Sequence, residues 1–146
     1  MKRNLVLAAV LLGIFLLVLP SQSAAIFVKA DGDDSLNGLS WENAKKTVQA
    51  GINAAVSGDQ VWVKSGIYIG CITHKSGVGL YGGFLGTDGE TVATRNYKTN
   101  ITVLDGNQAG NVITVPQYAS SSTIIDGFTI RNGVEVSSVL GKYSSI

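Results

Sequence analysis

The feature that most constrains this chain is an internal repeat. "ITVLDGNQAGNVITVPQYASS" (residues 101–121) overlays "STIIDGFTIRNGVEVSSVLGK" (residues 122–142) at an offset of 21 residues. Thr102 falls on Thr123, Asp105 on Asp126, Gly106 on Gly127, Asn111 on Asn132 and Val115 on Val136. Val103, Leu104 and Ile113 meet Ile124, Ile125 and Val134. A unit this short, with β-formers and turn pairs but no helical pattern, cannot bury its own apolar face, so it must stack on its neighbours. In that register Asp105 and Asp126 are expected side by side, about 5 Å apart at the backbone, the spacing of paired strands.

The rest of the chain fits a stack of short strands. Eighteen glycines, two prolines and short runs of Val, Ile, Thr and Tyr broken by D-G, G-G and N-G pairs are the pattern of strands and tight turns. Strands are expected near 26–29, 60–64, 70–73, 78–81, 101–104, 112–115, 123–125 and 128–130. One helix is expected over 41–56, with Ser40 as N-cap and Gly58 as the C-terminal stop. Ala44, Val48, Ile52 and Ala55 give it one apolar stripe for packing on a larger surface. The polar stretch 86–100 is expected to be a loop ejected from one coil, which solenoids absorb on one face.

Lys2 and Arg3 precede an apolar run over 5–19, then Pro20 and small residues. This is the pattern of a secretory signal peptide over 1–25, cut before Ile26; fifteen apolar residues are short for a membrane span, which needs about 20. Without it, nine basic residues face ten acidic ones. A charge so near balance points away from nucleic acid and from anionic membrane surfaces. Cys71 is the single cysteine and has no internal disulfide partner; it is expected as a buried small hydrophobe.

These residues resemble the N-terminal part of secreted right-handed parallel β-helix proteins of the pectate-lyase-like superfamily. The resemblance is carried, in the family's order, by "NGLSWENA" (37–44), "GDQVWVKSGIY" (58–68), "LYGGFLGT" (80–87), "TRNYKTNITVLDGN" (94–107) and "IIDGFTIRNG" (124–133). It implies an all-β solenoid with an N-terminal strand, loop and amphipathic capping helix over 26–58. The first coils then occupy 59–146. Family members continue for many more coils where this chain reads "VEVSSVLGKYSSI", so a C-terminally truncated fragment is expected, with self-association through the open last coil. The superfamily includes lyases, hydrolases and adhesins. The leading expectation is a secreted or cell-surface, non-catalytic, carbohydrate-associated module whose partner is a polysaccharide. A calcium-assisted polysaccharide lyase and an adhesin-like glycan-binding protein are the alternatives.

A lyase of that kind needs carboxylates to hold calcium and a basic residue to take a proton. The candidates are Asp105, Asp126 and Arg131, with Arg95 as a second guanidinium. The competing reading makes each Asp the start of a D-G turn, closed by Gly106 and Gly127, and makes Asn111 and Asn132 a short structural ladder. In "DGDDSLNGLSW" (31–41), Asp33, Ser35, Asn37 and Gly38 follow the start of an EF-type calcium loop, but Ala44 stands where the closing glutamate belongs. Asp31, Asp33 and Asn37 are therefore the calcium candidates, and the rival role of the loop is a junction, with Trp41 anchoring it to an apolar surface. Asp59 opens the "GDQVWV" strand motif. His74 and Cys71, three apart in an extended segment, should point to opposite faces. Trp62, Tyr68, Tyr81 and Phe84 are candidate core aromatics or a sugar platform.

Overall fold

A computed structural model describes residues 23–134. The short β-runs become β1 (Ala25–Val28), β2 (Gln60–Lys64), β3 (Gly66–Ile69), β4 (Ile72–Thr73), β5 (Gly79–Phe84), β6 (Thr102–Asp105), β7 (Ile113–Thr114), β8 (Ile124–Asp126) and β9 (Phe128–Arg131). The one helix among the described residues, α1, is Val48–Ala54. Three sheets form, in the orders β1-β2-β5-β8, β3-β6-β9 and β4-β7, and every strand pair in them is parallel. From β2 onward the strands visit the three sheets in strict rotation: β2, β3, β4, then β5, β6, β7, then β8, β9.

Alternation along β2 shows how the core is built: Val61 and Val63 are buried and Gln60, Trp62 and Lys64 only partly so. Leu80, Tyr68, Ile72, Leu104 and Val112 meet them from the other strands, with Ile26 and Val28 of β1 and Val48, Ile52 and Ala55 from the helical segment. β5 is buried on both faces. Its outer residues Tyr81 and Phe84 lie in a second apolar cluster with Trp41, against which Phe27, Trp62 and Val92 pack. Stretch 86–100, expected as an ejected loop, holds no strand or helix, but it folds back onto this face and places Arg95 there, only 9% exposed. The last strands are the least covered, with β9 exposed at three of its four residues.

The 21-residue repeat is not the stacking period. β6 pairs with β9 from Thr102 opposite Phe128 to Asp105 opposite Arg131, partners 26 residues apart. The two D-G copies lie in different sheets, Asp105 beside Ile69 and Arg131, and Asp126 beside Tyr81. The expected side-by-side carboxylate pair does not form. The repeat records a local motif, an apolar strand ending in a corner. After β8 the corner is Gly127 alone; after β6 it is the longer turn from Gly106 to Val112.

The helix is shorter than its stripe suggested. Thr47, not Ser40, is the N-cap, its side chain accepting from the Ala50 N–H, and Ala55, not Gly58, is the C-cap. The residues before Thr47 form turns and bends around a single bridge residue, because they have a better use. Lys45 bridges Val28, with its N–H donating to Phe27 O and its C=O accepting from Lys29 N, both at 2.9 Å. This covers the outer edge of β1, which would otherwise offer unpaired backbone groups. Ala44 is fully buried, in that covering segment rather than in a helix. Ser40 Oγ instead accepts from the Asn43 N–H at 3.1 Å, closing a local turn. Gly58, at φ +98, makes the left-handed turn into β2, and its N–H reaches Gly77 O.

Asp59 ties this junction together, its two carboxylate oxygens accepting from Ala24 N and Val56 N, both at 2.9 Å. Ala25 pairs with Gln60, so the ordered sheet begins ahead of the expected cut before Ile26. The apolar run over 5–19 on which the signal-peptide reading rests lies outside the described residues, as does the tail beyond Val134. No helix among the described residues is long and apolar enough to cross a membrane.

Candidate functional site

A dense polar arrangement lies at the corner after β6. Stacking β9 on β6 puts Arg131 opposite Asp105, and the guanidinium donates Nε–H to Asp105 Oδ2 at 2.8 Å. Asn132, at φ 55, turns its amide back onto the same carboxylate at 3.0 and 3.1 Å. The Asn107 N–H donates to Oδ1 at 3.0 Å. These donors, the Asn107 N–H first and then Asn132 and Arg131, hold the Asp105 carboxyl below its ordinary value. Asp105 is thus a saturated carboxylate. Arg131 differs: its side chain is 49% exposed, and among the described residues only its Nε is committed. It presents hydrogen-bond donors outward, as an anion would need, and not a free base.

Asp126 and Arg95 form a second, separate pair at 2.5 Å. Arg95 also donates to Gly82 O and, through Nε, to Val92 O, and it lies over the Tyr81, Phe84 and Tyr97 rings at 5.2–5.9 Å. Such a buried, fully partnered guanidinium fastens the 86–100 stretch to the sheet. Gly127 is required beside it: φ is +81, and a Cβ there would lie 2.3 Å from Arg95 Nη1.

The asparagine ladder does not form. Asn132 is spent on Asp105, and Asn111 is an exposed residue with no side-chain hydrogen bond to it. Gly106 is needed for packing, since a Cβ would meet Asn132 O and Val112 Cγ2 at 2.8 Å.

The calcium candidates are engaged locally. Asp33 Oδ1 accepts from Ser35 N at 2.8 Å, which lowers its pKa, and Asn37 Oδ1 accepts from Leu39 N at 2.9 Å. The residue with a structural role in this loop is one that sequence reasoning passed over. Asp34 accepts from Lys46 N, Thr47 N and Thr47 Oγ1 at 2.7–2.9 Å, joining the loop to the start of α1. No group of three or more His, Cys, Asp and Glu side chains suited to a metal ion occurs among the described residues, and Asp31 joins none. Trp41 does anchor the loop, edge-on to Phe27 at 4.8 Å and tilted against Phe84 at 5.8 Å.

Cys71 is exposed, correcting the buried reading, while His74 is 2% exposed, so the two do point apart. The aromatics divide: Tyr68 enters the main core, where burial pushes its phenol pKa up, and Trp62 stacks on Phe84 at 4.8 Å in the outer cluster. Asn100, Ile101 and Thr102 spell an N-I-T glycosylation sequon that is absorbed into the fold, the Asn100 amide on Gly83 O and the hydroxyl of fully buried Thr102 accepting from Gly83 N. One concavity, of about 430 Å³, lies between Lys46–Gln49 and the outer edge of β3, where Ile67 and Ile69 are exposed. β3 was missing from the expected strands, and with it this groove.

No protein-family model, curated protein or solved structure matches the chain.

Proposed function

We propose that the chain is a secreted or cell-surface structural module, a right-handed parallel β-helix of the pectate-lyase-like kind that associates with polysaccharide without turning it over. The observation that carries this reading is the strict rotation of strands through three parallel sheets, which a chain winding into stacked coils produces. Right-handedness follows from the hand of parallel crossovers. The non-catalytic part is supported by how the candidate groups are used. Asp105 and Asp126 belong to two different corners, each already paired with a guanidinium. A calcium-assisted lyase would need them to converge. The outward donors of Arg131 suit an acidic glycan better than they suit proton abstraction.

The test is incubation of the folded chain with polygalacturonate and calcium, followed by ultraviolet absorbance of unsaturated product, alongside affinity electrophoresis on neutral and acidic polysaccharides. Retardation without product supports the module. Product that disappears in Arg131→Ala establishes the lyase instead. No retardation on any glycan removes the carbohydrate association.

Self-association through the last coil is part of the same reading. Ile124, Ile130 and Val134 are 40%, 52% and 41% exposed at that end. Sedimentation is expected to show concentration-dependent dimers that Ile130→Lys abolishes; a monomer at all concentrations would contradict it.

A further inference from the structure

His74 is the only histidine in the chain, and it is used in an unusual way. It is 2% exposed, its Nε2 lies 3.3 Å from Ile124 O, and its Nδ1 is buried with no hydrogen-bond partner. Its backbone N–H donates to Thr114 O at 2.7 Å. One residue therefore touches the strand before the 115–123 turn through its backbone and the strand after it through its ring. The neighbouring bonds close the same seam: Ser120 N to Ser76 Oγ at 2.9 Å, Gly77 N to Thr123 Oγ1 at 2.8 Å and Ile124 N to Val78 O at 3.2 Å. Among the described residues β8 is the edge strand of its sheet, paired only with β5.

We propose that His74 is an acid-sensitive latch, which as neutral imidazole holds β8 on β5 and when protonated releases the 115–126 segment from the stack.

The physical reason is that the neutral ring can satisfy Ile124 O with Nε2–H and leave Nδ1 as a bare acceptor. The cation must place a second N–H in the core. Burial lowers the His74 pKa, outweighing the Ile124 and Val78 carbonyls that favour the cation. Among the described residues no carboxylate pairs with the ring. α1, β5, β7 and the 115–123 turn carry no Asp, Glu, Lys or Arg, and their titratable groups are the phenols of Tyr81 on β5 and Tyr118 in the turn. On β8, Asp126 is bound to Arg95. Lys75 spends its ammonium on Asn53 O and Ala55 O, and Asp59 spends its carboxylate on Ala24 N and Val56 N. The opened segment frees the ring to its ordinary value of 6.5. The folded pKa being lower, the latch holds fully above pH 6.5 and is lost as pH falls toward the folded value.

Amide hydrogen exchange of Ile124, corrected for the intrinsic rate, tests this between pH 7.5 and 5 in the full chain. Protection is expected to fall by about tenfold for each pH unit between the unfolded and folded pKa values. In His74→Gln, whose amide can still donate to Ile124 O, protection is expected to be independent of pH over that range. The ring resonances, unambiguous with one histidine, are expected to titrate below 6.5. A ring titrating at or above that value, unchanged Ile124 protection in the wild type, or an equal pH slope in His74→Gln would each overturn the latch. If His74→Gln does not fold, the wild-type titration and exchange data decide alone.

Discussion

At the scale of single residues, this chain uses its charged groups mainly as fasteners. Asp59 holds the N–H of Ala24 and of Val56, so it fixes both the entry to β1 and the exit from α1. Asp59→Ala is expected to lower stability by about 2 kcal/mol, read from the urea midpoint, because two backbone N–H groups lose a buried, charged acceptor. Gly127→Ala tests a corner instead of a charge. The residue must keep φ at +81 with its Cβ against Arg95 and Gly82 O, so a loss of about 2 kcal/mol in thermal unfolding is expected. The sequence made some of these roles readable and hid others. A D-G pair announces a turn, and both Asp105 and Asp126 do end strands at corners. Nothing local announces that their guanidinium partners, Arg131 and Arg95, lie 26 and 31 positions away, since those meetings depend on the stacking register.

At the scale of elements, the chain covers its own strand edges. The segment around Lys45 covers β1, and Gln49 covers β4 with its side chain, accepting from Thr73 N at 2.8 Å and donating to Thr73 O at 3.2 Å. One amide thus stands in for a neighbouring strand. Gln49→Ala is expected to cost about 1 kcal/mol by chemical denaturation and to raise exchange of the Thr73 amide. Unchanged exchange there would show that the amide does not protect the edge. This use of 41–49 explains the overlong helix expected from sequence. Ala44 continues the apolar stripe of Val48 and Ile52 at helical spacing, and its burial was correctly foreseen. It is buried by the bridge at Lys45, which the periodicity of one segment cannot reveal. β2 was readable to its ends because it alternates cleanly, whereas β3 follows it after Ser65 alone and was merged into the same motif.

At the scale of the whole molecule, three parallel sheets share one apolar interior, and Asp33, Asp34, Asp59, Glu90, Asp105 and Asp126 are ion-paired or hydrogen-bonded at its corners and loops. For Asp34 burial pushes the pKa up, but the Thr47 and Lys46 donors bring it below the ordinary value. Glu90 is alike, with burial opposed by the N–H groups of Leu85, Thr87 and Gly86. Asp33 and Asp105 are lowered by hydrogen bonds as well. Folded values below the unfolded ones give stability that is present above about pH 4 and lost as pH falls through the folded values. Thermal melts are therefore expected to show two acid losses, one beginning below pH 6.5 from His74 and one below about pH 4 from the carboxylates. His74→Gln should remove the first and keep the second.

The stacking register is the central claim, because it decides which charges meet and hence what the corners can do. Backbone nuclear Overhauser contacts between β6 and its neighbour test it directly. The stacked arrangement predicts contacts that pair Leu104 with Ile130 and Val103 with Thr129. Contacts pairing Leu104 with Ile125, the register of the 21-residue repeat, would bring Asp105 and Asp126 together and contradict the account.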